Sequence, residues 1–279
     1  MTQTEAGTAV RRTAMNYVLG AYLRNARTKA EMTLLDVSER IDKDVATVSR
    51  WECGKTHPKP ADVHAFLTAC RKRGRTVRDR HEFKVLTGPS YRDDLFIDVM
   101  GEAFEINDRL TAVESNAKKI IIVSDSLLPP NLQTADYSTI AHENGACLPQ
   151  RPLPKAPVVL YMAESFLTNR WPGYPVLAEQ LRYLVELIHA GRLTLHLYPD
   201  DTMLPRPTTQ ELHMGEGDRL VVEEVHGASV AYRLPPYAPA FGARYLVNDC
   251  ADSADHSLSH LKSVAQRFTI VAKAEARTS

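Results

Sequence analysis

The run DVATVSRWECGK, Asp44 to Lys55, constrains this chain more than any other stretch. Val45, Val48 and Trp51 recur at three-residue spacing, which marks a helix. Between them stand Ala46, Thr47, Ser49 and Arg50, three small residues and one long cation. Asp44 can cap such a helix with Thr47 at its N3 position, and Gly54 can end it. Trp51, three residues from Val48, reads as core rather than as a ring that stacks on a ligand. One face of this helix is therefore apolar, and the other is small, polar and open.

The residues before it supply the core. Val18, Leu19, Tyr22, Leu23 and Ala26 form a helical stripe between Asn16 and Arg27. Thr33 and Asp36 make a capping-box-like start for a short second helix carrying Leu34, Leu35, Val37 and Ile41. Asp42-Lys43 is a turn, and Pro58 and Pro60 open a fourth helix with Val63, Phe66, Leu67 and Cys70. With Val48 and Trp51 packed toward Leu23, Val37 and Ile41, the residues Val45, Ala46, Ser49 and Arg50 face outward. Two short helices around a tight turn, the second with a small exposed face, make a helix-turn-helix.

Such a face fits a DNA major groove, about 12 Å wide. Arg50 can reach guanine O6 and N7 together, Ser49 suits either base type, and Ala46 and Val45 can meet a thymine methyl. Lys43 and Lys55 flank the helix and suit phosphates. The expected DNA-contacting set is thus Lys43, Asp44, Val45, Ala46, Thr47, Ser49, Arg50 and Lys55, with Asp44–Cys53 as recognition helix. Charge agrees. Residues 1–80 hold 16 Lys+Arg and 9 Asp+Glu, a net +7, and the remainder carries −7. A basic head on an acidic body implies that only the head meets a polyanion.

The stretch LRNARTKAEMTLLDVSERIDKDVATVSRWECGKTHPKP resembles the Cro/CI-type (XRE) helix-turn-helix regulators. The likeness rests on Leu23-Arg24, the ladder Met32-Val37-Ile41, and Thr47-Val48-Ser49-Arg50-Trp51-Glu52 before Gly54. It implies a sequence-specific regulator that binds double-stranded DNA. Leu34 and Leu35 stand where the family often has a phosphate-contacting glutamine. Asp42 replaces the usual turn glycine, a left-handed position that aspartate tolerates.

The remainder reads as an α+β domain. Residues 94–123 are expected to be helical, broken at Asn107 and Asn116. A turn and short helix follow in SLLPPNLQTADY, then a proline-rich loop over 142–157. VVLYMAE and RLTLHLYP are strands, PVLAEQLRYLVELIHAG is an amphipathic helix, and RLVVEEVHGASVAYRL is two strands around His226-Gly227. SLSHLKSVAQRFTIVAK closes as a helix. The expected fold is an all-α helix-turn-helix domain over 14–85 and an α+β regulatory or dimerisation domain over 91–272, with a boundary near 85. The basic run Arg71–Arg80 is either a solvated linker or a phosphate grip.

ESNAKKI, LLPPNLQTADY, MAESFLTNRWPGYPVLAEQLRYLVEL and LTLHLYP resemble the C-terminal domain of actinobacterial regulators of the WhiJ kind. That likeness implies an antitoxin-like protein, often paired with a small partner encoded nearby. It departs at Pro129-Pro130-Asn131 and in the loop 149–157, where the family has an arginine-rich helix.

Other chemistry finds little support. There is no GxSxG, HExxH, Walker loop or GxGxxG after a strand, so catalysis is not expected. His256 and His260 are four apart with Asp252 and Asp255 upstream, but no third ligand is identifiable, so neither metal nor cofactor is expected. Cys53, Cys70, Cys147 and Cys250 form no CxxC pair and read as reduced thiols, Cys53 as a plain surface thiol. No secretory leader or membrane span is expected, and the protein should work in the cytoplasm at the nucleoid. Tyr161, Tyr183, Tyr198, Tyr232, Tyr237 and Tyr245 fit either core packing or an effector pocket, which leaves a small-molecule-sensing repressor as a further alternative. Amphipathic helices at 175–190 and 257–272 are the expected source of spare apolar surface for a homodimer.

Overall fold

The computed structural model describes residues 12–70, 94–98, 103–124, 127–144, 148–202, 208–225, 229–235 and 247–278. The chain divides into two compact units, Met1–Phe96 and Ile97–Ser279. The boundary expected near residue 85, the run Arg71–Arg80 and the His226-Gly227 turn lie outside the described residues.

Among the described residues the head has four helices: α1 (Ala14–Lys29), α2 (Leu34–Arg40), α3 (Val45–Glu52) and α4 (Pro60–Ala69). Each start has a local cause. The Thr13 hydroxyl accepts from the Asn16 N–H at 3.1 Å. At α2 the capping box is complete: the Thr33 N–H donates to Asp36 Oδ2 at 2.7 Å, and the Asp36 N–H to Thr33 Oγ1 at 3.1 Å. Pro60 opens α4, where a missing N–H costs nothing. The ends of α2 and α3 share one geometry. Asp42 (φ 53°) and Gly54 (φ 66°) take the left-handed conformation, and the next N–H turns back. Lys43 N–H reaches Ser38 O at 3.0 Å, and Lys55 N–H reaches Arg50 O at 2.9 Å. Aspartate thus fills the turn where glycine is usual.

Val18, Leu23, Val37, Val48, Val63 and Phe66 are fully buried between these helices, and Trp51 is 6% exposed. Gly20 lets α1 lie almost on the end of α3: a Cβ there would sit 2.6 Å from the Trp51 carbonyl oxygen. An ion pair fixes the same crossing. Arg27 donates from Nε to Glu52 Oε1 at 2.6 Å and from Nη2 to Oε2 at 2.8 Å, and its Nη1 reaches Met32 O at 2.9 Å. The hydrogen bonds to Glu52 hold the Arg27 guanidinium above its ordinary pKa.

The body is a seven-stranded mixed sheet with helices. In chain order it runs β1 (Leu95–Asp98), α5 (Ala103–Ser115), β2 (Lys119–Ser124), α6 (Ala135–Glu143), β3 (Val158–Ala163), α7 (Tyr174–His189), β4 (Leu193–Tyr198), β5 (Thr209–His213), β6 (Arg219–Val225), β7 (Ser229–Arg233) and α8 (Ala254–Thr278). The strands lie side by side as β1-β7-β6-β5-β2-β3-β4. β2, β3 and β4 are parallel, with α6 and α7 in the crossovers, while β5, β6 and β7 run antiparallel from the other side of β2. An all-α head and an α+β body are therefore the fold.

Two expectations need correction. Residues 94–123 are not one broken helix but β1, α5 and β2. Ile120, Ile121, Ile122 and Val123 are buried on both sheet faces, and a central strand covered on both sides reads as a continuous apolar run without alternation. Asn107 does not break α5, because its side chain bonds outward to Pro149 O at 3.1 Å. Nor are the helices 175–190 and 257–272 spare. α7 and α8 pack on each other, with the Tyr174 and Phe268 rings edge-on at 5.2 Å. Leu177, Leu181 and Leu184 of the one and Leu261, Val264 and Phe268 of the other are buried.

Buried charge organises the body. Arg109 on α5 grips Asp98 on β1 with two bonds, 2.7 and 2.9 Å, and neither side chain is exposed. Arg151, on the proline-rich segment, reaches Glu114 of α5 at 3.0 Å and Glu224 of β6 at 2.6 Å. Asn131 donates to Glu114 at 3.2 Å and Gln210 to Glu224 at 2.8 Å. Burial pushes the Glu114 carboxyl up against the pull of Arg151, and burial pushes Asp98 up in the same way against Arg109.

Candidate nucleic-acid interface

The α3 helix presents two faces, set by its sequence. Val48 and Trp51 are buried. Val45, 39% exposed, lies on the open side with exposed Lys43, Asp44, Ala46 and Arg50. Thr47, Ser49 and Lys55 are half-buried. The eight residues expected at DNA thus share the N-terminal end, outer face and flanks of one helix. Side chains of a helix lean toward its N-terminus, so Arg50 projects back along the part that would lie deepest in a groove.

Lys43 and Arg50 are engaged within the head. Lys43 Nζ lies 3.1 Å from Asp62 Oδ1 of α4, so this phosphate candidate already has an acidic neighbour. Arg50 Nη2 donates to Thr47 Oγ1 at 2.8 Å. Thr47 in turn gives both its protons to Asp44: its N–H to Oδ1 at 2.8 Å and its O–H to Oδ2 at 2.5 Å. These bonds, the hydroxyl's first, hold the Asp44 carboxyl below its ordinary pKa, with Arg50 adding a smaller pull.

The charge asymmetry is more local than it first looks. Residues 12–70 hold nine Lys+Arg and seven Asp+Glu, so most of the head's excess falls in Arg71–Arg80, outside the described residues. Within the four helices the interface depends on placed cations, not on a general positive field. The clamp of Arg27 on Glu52, which fixes the end of α3, is absent from the expected set. Its signal was a half-buried Arg27 and a buried Glu52 at helical positions, and their pairing across 25 residues is not readable from spacing.

Elsewhere the singled-out residues fall in structural settings. Tyr198 and Tyr232 are fully buried, and Tyr198 O–H donates to Ser124 O at 3.0 Å. Tyr161 O–H reaches Asn248 Oδ1 at 3.1 Å, Tyr183 is half-buried, and Tyr237 and Tyr245 lie outside the described residues. His256 Nε2 stands 3.5 Å from Asp252 Oδ2, one turn away, and among the described residues no group of three or more His, Cys, Asp or Glu is placed to hold a metal. Cys53 is half-buried, with Arg24 Nη2 3.9 Å from its sulfur. Among the described residues no helix is long and apolar enough to cross a membrane.

Comparison with known proteins agrees with this division. Residues 18–80 match a helix-turn-helix domain, here of XRE type. Residues 108–262 match a domain of unknown function, DUF5753, over more than half of the chain. No curated protein matches it.

Proposed function

This chain belongs to the DUF5753 family, whose function is unknown, and from the helix-turn-helix domain ahead of that region we propose a sequence-specific regulator of transcription that binds double-stranded DNA. The observation that carries the reading is α3 itself: Val48 and Trp51 are buried while Val45, Ala46 and Arg50 are offered to solvent. Lys43, Asp44, Val45, Ala46, Thr47, Ser49, Arg50 and Lys55 are the proposed contacts. The protein acts in the cytoplasm at the nucleoid, without catalysis, metal or cofactor. Selection of bound sequences from random duplex DNA tests the reading, and a pool that never converges would refute it.

Single substitutions separate base reading from phosphate contact. Arg50→Ala should relax base preference more than it weakens binding to unrelated DNA, since a bidentate arginine–guanine contact carries about 1–3 kcal/mol of discrimination. Equal loss on all sequences would remove Arg50 from the bases. Lys55→Ala should do the reverse, reducing the slope of log affinity against log salt by about one. An unchanged slope would remove it from the phosphates.

The body's role in this reading is to join two heads. One helix-turn-helix reads few base pairs, and two-fold proteins read half-sites about 34 Å apart. Because α7 and α8 cover each other along their packed length, the joining surface is sought beyond it. Ile270, 62% exposed on α8 beyond its last buried residue Phe268, supports a contact there. Sedimentation of the whole chain should show a dimer, and selected sites should carry inverted repeats. A monomer that binds a single half-site would refute the joining role. The likeness to regulators of the WhiJ kind supports a second reading, an antitoxin-like protein whose main role is to bind a small partner. A small protein encoded beside this gene that co-purifies with the chain would favour it.

A further inference from the structure

We infer that Thr47 is a positioning residue that sets base selectivity by aiming Arg50, with Asp44 fixing the direction of its hydroxyl; this rests on the DNA-binding reading above. The geometry is a relay across nearly two helical turns. Thr47 Oγ1 lies 2.5 Å from Asp44 Oδ2 and 2.8 Å from Arg50 Nη2. A carboxylate only accepts, so the hydroxyl proton is committed to Asp44. Only the lone pairs of Thr47 remain for the guanidinium, which can only donate. The direction of every bond in the chain is thereby determined. Asp44 itself cannot rotate away, because its other oxygen accepts the Thr47 N–H at 2.8 Å and so caps α3.

A free arginine has many rotamers, and ordering it on a base costs entropy. Here one donor of five is spent on the helix's own hydroxyl, at the end of the helix that reads bases. The guanidinium plane is fixed on that side, and the remaining donors still form a fork that matches guanine O6 and N7. The Asp44 charge at the head of this relay works against a different use of Arg50. An anion beside the guanidinium repels a phosphate but not a neutral base edge. The arrangement favours base reading over backbone binding.

The test uses the full chain. Random duplex DNA is selected with the wild type, and the base pair whose preference disappears in Arg50→Ala identifies the position read by Arg50. Thr47→Val keeps the shape and removes the hydroxyl, and Thr47→Ser keeps the hydroxyl. Each is titrated at one fixed salt against the selected site and against sites altered at single positions. Thr47→Val should lose about three- to tenfold of the discrimination at the Arg50 position, the worth of one hydrogen bond, with smaller losses at other positions and the head still folded. Thr47→Ser should restore it. Full discrimination in Thr47→Val, or an equal loss at every position, would overturn the positioning role. A wild type that selects no sequence would overturn the DNA-binding reading beneath it, and the two failures are distinct.

Discussion

Trp51→Ala is expected to unfold the head while the body stays folded. The side chain is 6% exposed at the crossing of α1 and α3. Removing a buried tryptophan costs about 3–5 kcal/mol. The described head, residues 12–70, has a total stability of about 3–9 kcal/mol by ordinary per-residue values. The cavity has little prospect of collapsing, because Gly20 already brings α1 against the Trp51 carbonyl. The chain has two tryptophans, one in each unit, so Trp171 remains as a reporter of the body. The variant should lose helical circular dichroism and become protease-sensitive in the head, with Trp171 emission unchanged. A variant that melts like the wild type yet fails on DNA would instead make Trp51 a contact residue.

Arg151→Met is expected to destabilise the body by about 3–5 kcal/mol near pH 8, since it strands buried carboxylates without their cation. Glu114 is 1% exposed and Glu224 is mostly covered. The loss should shrink in acid. Burial already pushes Glu114 up, and without Arg151 it rises further. Between the ordinary carboxylate value and that raised value, the folded state holds a proton that the unfolded state has released. Stability therefore falls as pH rises through this window, and the variant widens the window. Denaturant melts at pH 5 and pH 8, read through Trp171, should show the larger deficit at pH 8. A second change, Glu114→Gln, should recover part of it. A deficit independent of pH would show that packing, not stranded charge, sets the cost.

The head was legible because its signals are local. Thr33 and Asp36, Asp44 and Thr47, Pro60, and Gly54 each act within four residues of the helix end they define. The body was less so, for a physical reason seen in β5. Thr209, Gln210 and Glu211 are buried yet polar, so no hydrophobic pattern marks them as strand. Gln210 donates to Glu224 on the next strand, a pairing that spacing does not reveal. Ile120–Val123 failed differently: a short apolar run has no period, and only its neighbours in the sheet decide between strand and helix. In the interface, spacing gave the outward face of α3 but not Lys43's pairing with Asp62, nor the clamp of Arg27 on Glu52.

The sheet order also sets a timetable for synthesis. β1, Leu95–Asp98, has β7, Ser229–Arg233, as its neighbour. A ribosome must therefore add well over a hundred residues after β1 emerges before that edge can close. The last described helix of the head ends at Ala69. At about 5–20 residues per second, roughly ten to thirty seconds separate a complete head from a complete sheet. Through that interval each nascent chain carries a finished reading helix on an unfinished body. If two bodies must join before an operator is gripped tightly, chains still on the ribosome sample DNA only one half-site at a time, and the regulator gains its full hold on a promoter only after release.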